Sequence, residues 1–152
     1  MSRTALLDVN LLVALFDPDH VHHEIAHDWF ADHCTDGWAT CPPTENGFVR
    51  VLSNPAYGGG LRRPSELVER LRRFCASEHH TFWLASVSLR GDTIFNHSLI
   101  RGPRQLTDVY LLGLAVKMRG CLATFDCAMP LGAEVGATRE APQIVSPVGH
   151  EE

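Results

Sequence analysis

Four acidic residues stand where carboxylates can do chemistry. Asp8 follows the apolar run from Ala5 to Leu7, and Asp126 follows the run Cys121 to Thr124, each just beyond a short strand-like segment. Glu45 and Asp108 lie in the first turns of two helical patterns that each follow a loop. Taken singly, each has an ordinary explanation, because a helix N-terminus favours negative charge and Asp126 can cap a helix. Taken together they are harder to explain. Two carboxylates about 4 Å apart repel by roughly 4 kcal/mol at an effective dielectric of 20. A fold retains such a cluster only if protons or cations neutralise it. An all-oxygen donor set suits a hard cation, Mg²⁺ with Mn²⁺ as the alternative. Such an ion leaves room for waters, activates one as a nucleophile and screens a phosphodiester.

The elements that must position these acids follow from periodicity and from breakers. Thr4 to Asp8 reads as a strand, and Asn10 opens a helical run to Phe16 that Asp17-Pro18 closes. A second helix is expected from about His20 to Asp32, with Val21, Ile25 and Trp29 on its apolar face. Trp38 to Cys41 is the next strand, stopped by Pro42-Pro43. Thr44-Glu45 then begins a helix that Asn54-Pro55 ends. Beyond the loop Gly58 to Gly60, a helix starts at Pro64 or Ser65 and turns Leu67, Leu71 and Phe74 inward. His80 to Ala85 reads as strand, and Ser86 to Arg104 has no legible period. Thr107 is expected to cap a helix that Gly120 closes. Cys121 to Thr124 and Gln143 to Val145 are the last strands. Strands alternating with helices indicate an α/β domain with a mainly parallel sheet, and ligands of such sheets bind beyond the carboxyl ends of the strands. Asp8 and Asp126 both stand at such ends.

The 152 residues suit one domain, expected over residues 1–146 with a polar tail at 147–152. Thirteen Lys and Arg against eighteen Asp and Glu give a net charge of −5, which excludes a generally basic nucleic-acid coat. Any polyanion must meet a local basic patch or a bound cation. The apolar stretch Ala5 to Phe16 is broken by Asp8 and Asn10, so neither a secretory signal nor a membrane span is expected. The five cysteines form no C-x-x-C pair, which argues against a disulfide framework or a cysteine zinc knuckle and points to a reducing cytoplasm.

The segments Leu6 to Leu15 (LLDVNLLVAL), Thr44 to Arg50 (TENGFVR), Leu106 to Leu112 (LTDVYLL) and Leu122 to Asp126 (LATFD) resemble, in order, the motifs of PIN-domain ribonucleases. More narrowly they resemble the VapC toxins of bacterial toxin–antitoxin pairs, as does the His20-x-His22-His23 opening of the second helix. The resemblance implies a three-layer α/β/α PIN-like domain. It implies Asp8, Glu45, Asp108 and Asp126 as a catalytic divalent-metal site, with Asn10, Thr107 and Thr124 close beside it. It also implies cleavage of single-stranded RNA by metal-activated water, a homodimer, and inhibition by a cognate antitoxin. Family members often carry a basic residue straight after the last motif acid, where this chain has Cys127.

Other residues carry weaker signals. Arg62, Arg63, Arg70, Arg72 and Arg73 flank the glycine loop, and Arg101 and Arg104 precede Asp108. Either set can guide RNA phosphates, Arg62, Arg63, Arg101 and Arg104 above all, or can form a solvated face. His23 and His27 have the i, i+4 spacing of a zinc pair, but no nearby cysteine completes a set, and an exposed polar face is the preferred reading. Phe48, Val49, Leu52, Leu111 and Leu112 suit a core, an antitoxin groove or a dimer contact, and Trp29, Trp38 and Trp83 suit a core. Other functions remain open from these residues alone: a structure-specific DNA nuclease using the same acids, a silent binding module whose acids cap helices, or a phosphatase-like hydrolase with Asp8 as nucleophile. The last usually needs an acid two residues on, where this chain has Asn10.

Overall fold

In the computed structural model, residues 3–60, 62–91, 94–126 and 142–145 are described. The expected tail and Cys127 lie outside the described residues, as does the side chain of Arg104. Among the described residues there are five strands: β1 (Ala5–Leu7), β2 (Trp38–Thr40), β3 (His80–Phe82), β4 (Cys121–Thr124) and β5 (Pro142–Ile144). The same residues include five α-helices: α1 (Val9–Phe16), α2 (His23–His33), α3 (Pro42–Ser53), α4 (Pro64–Cys75) and α5 (Leu106–Lys117). The strands form one sheet in the order β3-β2-β1-β4-β5, and every pairing is parallel.

The two-residue period of a strand builds the layers. Ala5 and Leu7 of β1, with Cys121 and Ala123 of β4, face a core shared with Leu11, Phe48, Leu52 and Leu67 of the first four helices' layer. Leu6, Ala39 and Leu122 face the opposite way, against Val109, Leu112 and Ala115 of α5. The result is the α/β/α sandwich expected. Phe48, Leu52, Leu111 and Leu112 are buried and belong to these cores, Val49 is partly buried against the first of them, and all three tryptophans are buried. Gly120 lets α5 turn back into β4, because a Cβ there would lie 2.4 Å from the Thr4 carbonyl oxygen and 2.7 Å from the Trp83 ring.

Several boundaries differ from expectation for local reasons. α2 begins at His23, because Asp17 first organises a turn: its carboxylate accepts from the Asp19 N–H and its carbonyl from the His20 N–H. Pro42 and Pro43 start α3 as well as stopping β2, since the first helical turn needs no amide donors. Thr107 does not cap α5. A 3-10 turn over Pro103–Gln105 feeds directly into the helix, so Gln105 holds the cap position in a helical conformation, where the extended backbone of a side-chain cap is absent. β3 ends at Phe82 instead of Ala85. Among the described residues, the stretch without a period carries a 3-10 turn at His97–Leu99 before the one at Pro103. It is tied down by buried Phe95 and by the Tyr110 hydroxyl, which donates to the Val87 carbonyl at 3.0 Å.

Candidate metal centre

The chain lays strands outward from β1 to β2 and β3, then returns to place β4 and β5 on its other side. That reversal makes the β1/β4 boundary a topological switch point, where parallel sheets open a crevice beyond their carboxyl ends. Register pairs Leu7 with Ala123, and the Asp8 N–H donates to the Ala123 carbonyl at 3.0 Å. Asp8, Thr124 and Asp126 are therefore neighbours at one edge, though more than a hundred residues separate them along the chain.

Asp8 is buried, 5% exposed, and caps α1: its Oδ1 accepts from the Val9 N–H at 2.8 Å. The Thr124 hydroxyl, wholly buried, donates to Asp8 Oδ2 at 2.7 Å. The same oxygen accepts from the Asp126 N–H at 3.1 Å and, weakly, from Asn10 Nδ2 at 3.5 Å. One hydroxyl proton and two lone pairs thus hold three site residues. Burial raises the Asp8 carboxyl above its ordinary range. The Thr124 and Val9 hydrogen bonds oppose that rise, and the Asp126 charge adds to it.

The first turn of α5 delivers Asp108 to the same place. Burial, then the Asp8 charge, then a hydrogen bond and the charge of Asp126 push its carboxyl up to about 7. Burial first, with neighbouring carboxylates adding to it, thus opposes full ionisation of the group. Asn10 Oδ1 is buried beside them without a hydrogen-bond partner. Three acids that interact electrostatically, one half-protonated near neutrality, and an orphaned amide oxygen form an all-oxygen set suited to a hard divalent cation. Thr107, expected beside the acids, is exposed on α5.

Glu45 takes a different direction. It lies in the first turn of α3, and its Oε2 accepts from the Thr40 hydroxyl at 2.7 Å. That hydroxyl also meets His80 Nε2 at 2.8 Å and Cys75 Sγ at 4.0 Å. Glu45 thus stands one strand along the sheet edge from Asp8, and both charges are felt by the intervening Cys41, whose thiol is raised first by burial. Thr40 was not singled out by its sequence context. The available signal was its position as the last residue of β2, the counterpart of Thr124 on β4.

The arginines are mostly engaged. Arg62 lies 3.8 Å from the Asp17 carboxylate and over the Tyr57 ring, Arg72 and Arg73 pair with Glu69, and Arg70 packs over Phe16. Arg63 and Arg101 are exposed. The histidine cluster is not simply a solvated face. His23 Nδ1 and His27 Nε2 donate to the Ala14 and Leu15 carbonyls at 2.7 and 2.9 Å, satisfying the open C-terminus of α1. His20 and His22 pack on Phe125, with ring centroids 6.3 and 4.8 Å away, next to Asp126.

No family model matches the chain. Individual relatives do. The chain is 43% identical to Ribonuclease VapC44 of Mycobacterium tuberculosis over 136 residues, covering 90% of this chain and 95% of that protein. It is 39% identical to Ribonuclease VapC39 of the same organism over 133 residues, 88% and 96% of the two chains. Against Ribonuclease VapC38 it is 44% identical over 128 residues, 82% and 86% of the two. Likeness of this degree over nearly the full length of several relatives, on an α/β/α fold with acids at its switch point, places the chain in the VapC ribonuclease family.

Proposed function

We propose that this protein is an endoribonuclease toxin, using Mg²⁺ or Mn²⁺ held by Asp8, Glu45, Asp108 and Asp126. The supporting observation is the convergence of Asp8, Asp108 and Asp126 at the switch point, beside the unpartnered oxygen of Asn10. A bound cation would neutralise the acids, screen the RNA phosphodiester and supply a water acidic enough to attack phosphorus. The chain's own groups do the rest. The Val9 N–H and the Thr124 hydroxyl hold the Asp8 carboxylate in one orientation. The N-terminus of α1 favours negative charge there. Asp108, its carboxyl pushed up to about 7, would give up its proton as a cation binds. In-line attack by such a water would expel the 3′ oxygen, leaving a 5′-phosphate and a 3′-hydroxyl, with no covalent enzyme intermediate.

The same reading makes the protein a cytoplasmic homodimer held in check by a cognate antitoxin. Among the described residues no helix is long and apolar enough to cross a membrane. Arg63 and Arg101 are exposed enough to meet RNA phosphates, and Arg104 is proposed with them from its place before Asp108. Arg62 would first have to leave Asp17.

The test is cleavage of a single-stranded RNA by the wild-type chain with Mg²⁺, with excess chelator, and by Asp8→Asn, alongside a DNA of the same sequence. RNA cleavage lost both in chelator and in Asp8→Asn, with the variant still folded, is expected. Undiminished cleavage in either condition rejects the mechanism, and preference for the DNA transfers the acids to a DNA nuclease.

A further inference from the structure

A second group of metal-binding side chains lies beside the aspartate cluster. Glu45 from the first turn of α3, Cys75 from the last turn of α4 and His80 from the start of β3 bring one ligand atom each to within 4.8 Å of one another. All three are half-buried. The Thr40 hydroxyl, at the end of β2, holds them together through its contacts at 2.7 Å to Glu45, 2.8 Å to His80 and 4.0 Å to Cys75. Four elements therefore fix the arrangement, and none of the three side chains belongs to a surface strip along one helix.

The donor types differ from those of the aspartate cluster. One sulfur, one imidazole nitrogen and one carboxylate oxygen make a borderline-soft set that prefers zinc-class ions, whereas Mg²⁺ takes oxygens. Three protein ligands with a fourth position open are enough to hold such an ion. We propose that Glu45, Cys75 and His80 form a second divalent-metal site, of the zinc class, whose occupancy keeps Glu45 turned away from the aspartate pocket. That retention rests on the nuclease reading above; the site does not. A zinc-class ion is then an inhibitor of the Mg²⁺-dependent reaction, acting through the one acid the two sites share.

The test uses the full chain and Co²⁺ as an optical stand-in for zinc. A cobalt–thiolate absorption band is expected in the wild type and in Asp108→Asn. Cys75→Ser and His80→Ala should lose it, and Cys34→Ser should keep it. Each variant is first checked for a cooperative thermal transition, with His80→Asn replacing His80→Ala if that variant does not fold. Absence of a band in the wild type, or a band that survives Cys75→Ser, overturns the site. For the competition, Zn²⁺ is titrated into Mg²⁺-driven RNA cleavage. The half-inhibitory concentration should rise in Cys75→Ser by at least the roughly 10–100-fold typical of losing a mere supporting partner. Equal inhibition of wild type and Cys75→Ser overturns the competition. No cleavage in Mg²⁺ alone overturns it together with the nuclease reading, while the cobalt band still decides the site.

Discussion

Replacing Thr124 by valine removes one oxygen from the centre of the acid cluster while keeping the side-chain shape, so no cavity opens. The lost oxygen donates to Asp8 at 2.7 Å and accepts from the Asp126 N–H at 3.1 Å, and the 3.5 Å contact with Asn10 is too long to count for much. A hydrogen bond to a charged group contributes about 1.5–3 kcal/mol and an ordinary one about 0.5–1.5 kcal/mol. Asp8 can recover part of this by taking up a proton, so a net loss of about 2–3 kcal/mol is expected in metal-free protein above neutral pH. For a chain of this size that is a fall in Tm of about 4–12 °C. The loss must depend on pH in one direction. The Thr124 bond lowers the Asp8 pKa, so the valine variant binds its proton more tightly. The difference between wild type and variant should therefore shrink as pH falls and Asp8 becomes protonated in both. Thermal melts at several pH values, with and without Mg²⁺, provide the assay, and weaker stabilisation by Mg²⁺ is expected in the variant. A Tm within a degree of wild type throughout, or a deficit that grows towards acid, refutes the assigned role of Thr124.

Asp108 makes a second pH-dependent prediction. Its carboxyl stands at about 7 in the folded chain against an ordinary aspartate value of 3.8, so the folded state holds a proton that the unfolded state has lost. Metal-free stability should fall as pH rises through this interval and level off above it, and Asp108→Asn should flatten the slope; urea unfolding at pH 5 and pH 8 measures both. Gly120→Ala should destabilise by more than about 2 kcal/mol, because the Thr4 backbone oxygen 2.4 Å from the new methyl group cannot swing aside as a side chain would; denaturant midpoints report it. His23→Ala should cost about 1 kcal/mol by exposing the Ala14 carbonyl at the end of α1, read from the same midpoints, and should leave divalent-metal binding unchanged.

What the sequence made legible were features with a local cause. Asp8 and Asp126 stood out because a short apolar strand ends in an acid, and α4 because Leu67, Leu71 and Phe74 keep a helical period. An α/β domain with a mainly parallel sheet followed from the alternation of elements, while the order of motifs pointed to the family and, through it, to the three-layer arrangement. Less legible was anything fixed by neighbours distant in sequence. The company Glu45 keeps depends on β2 and β3 lying parallel, with Trp38 opposite His80 and Thr40 opposite Phe82. No spacing along the chain announces that Thr40, Cys75 and His80 meet. The histidines misled in a related way. An i, i+4 pair suggests a ligand set or an open face, whereas His23 and His27 serve the carbonyls of the preceding helix. The capping role expected of Thr107 failed because a 3-10 turn occupies the position in which a cap would form.

The central claim is that the switch-point acids hold a hard divalent cation. Calorimetric titration of Mg²⁺ into the chelator-treated protein, wild type against Asp108→Asn, tests it most directly. Saturable binding in the wild type, accompanied by proton release near neutral pH and abolished in the asparagine variant, is the predicted result. Equal binding in both proteins, or none in either, would contradict it.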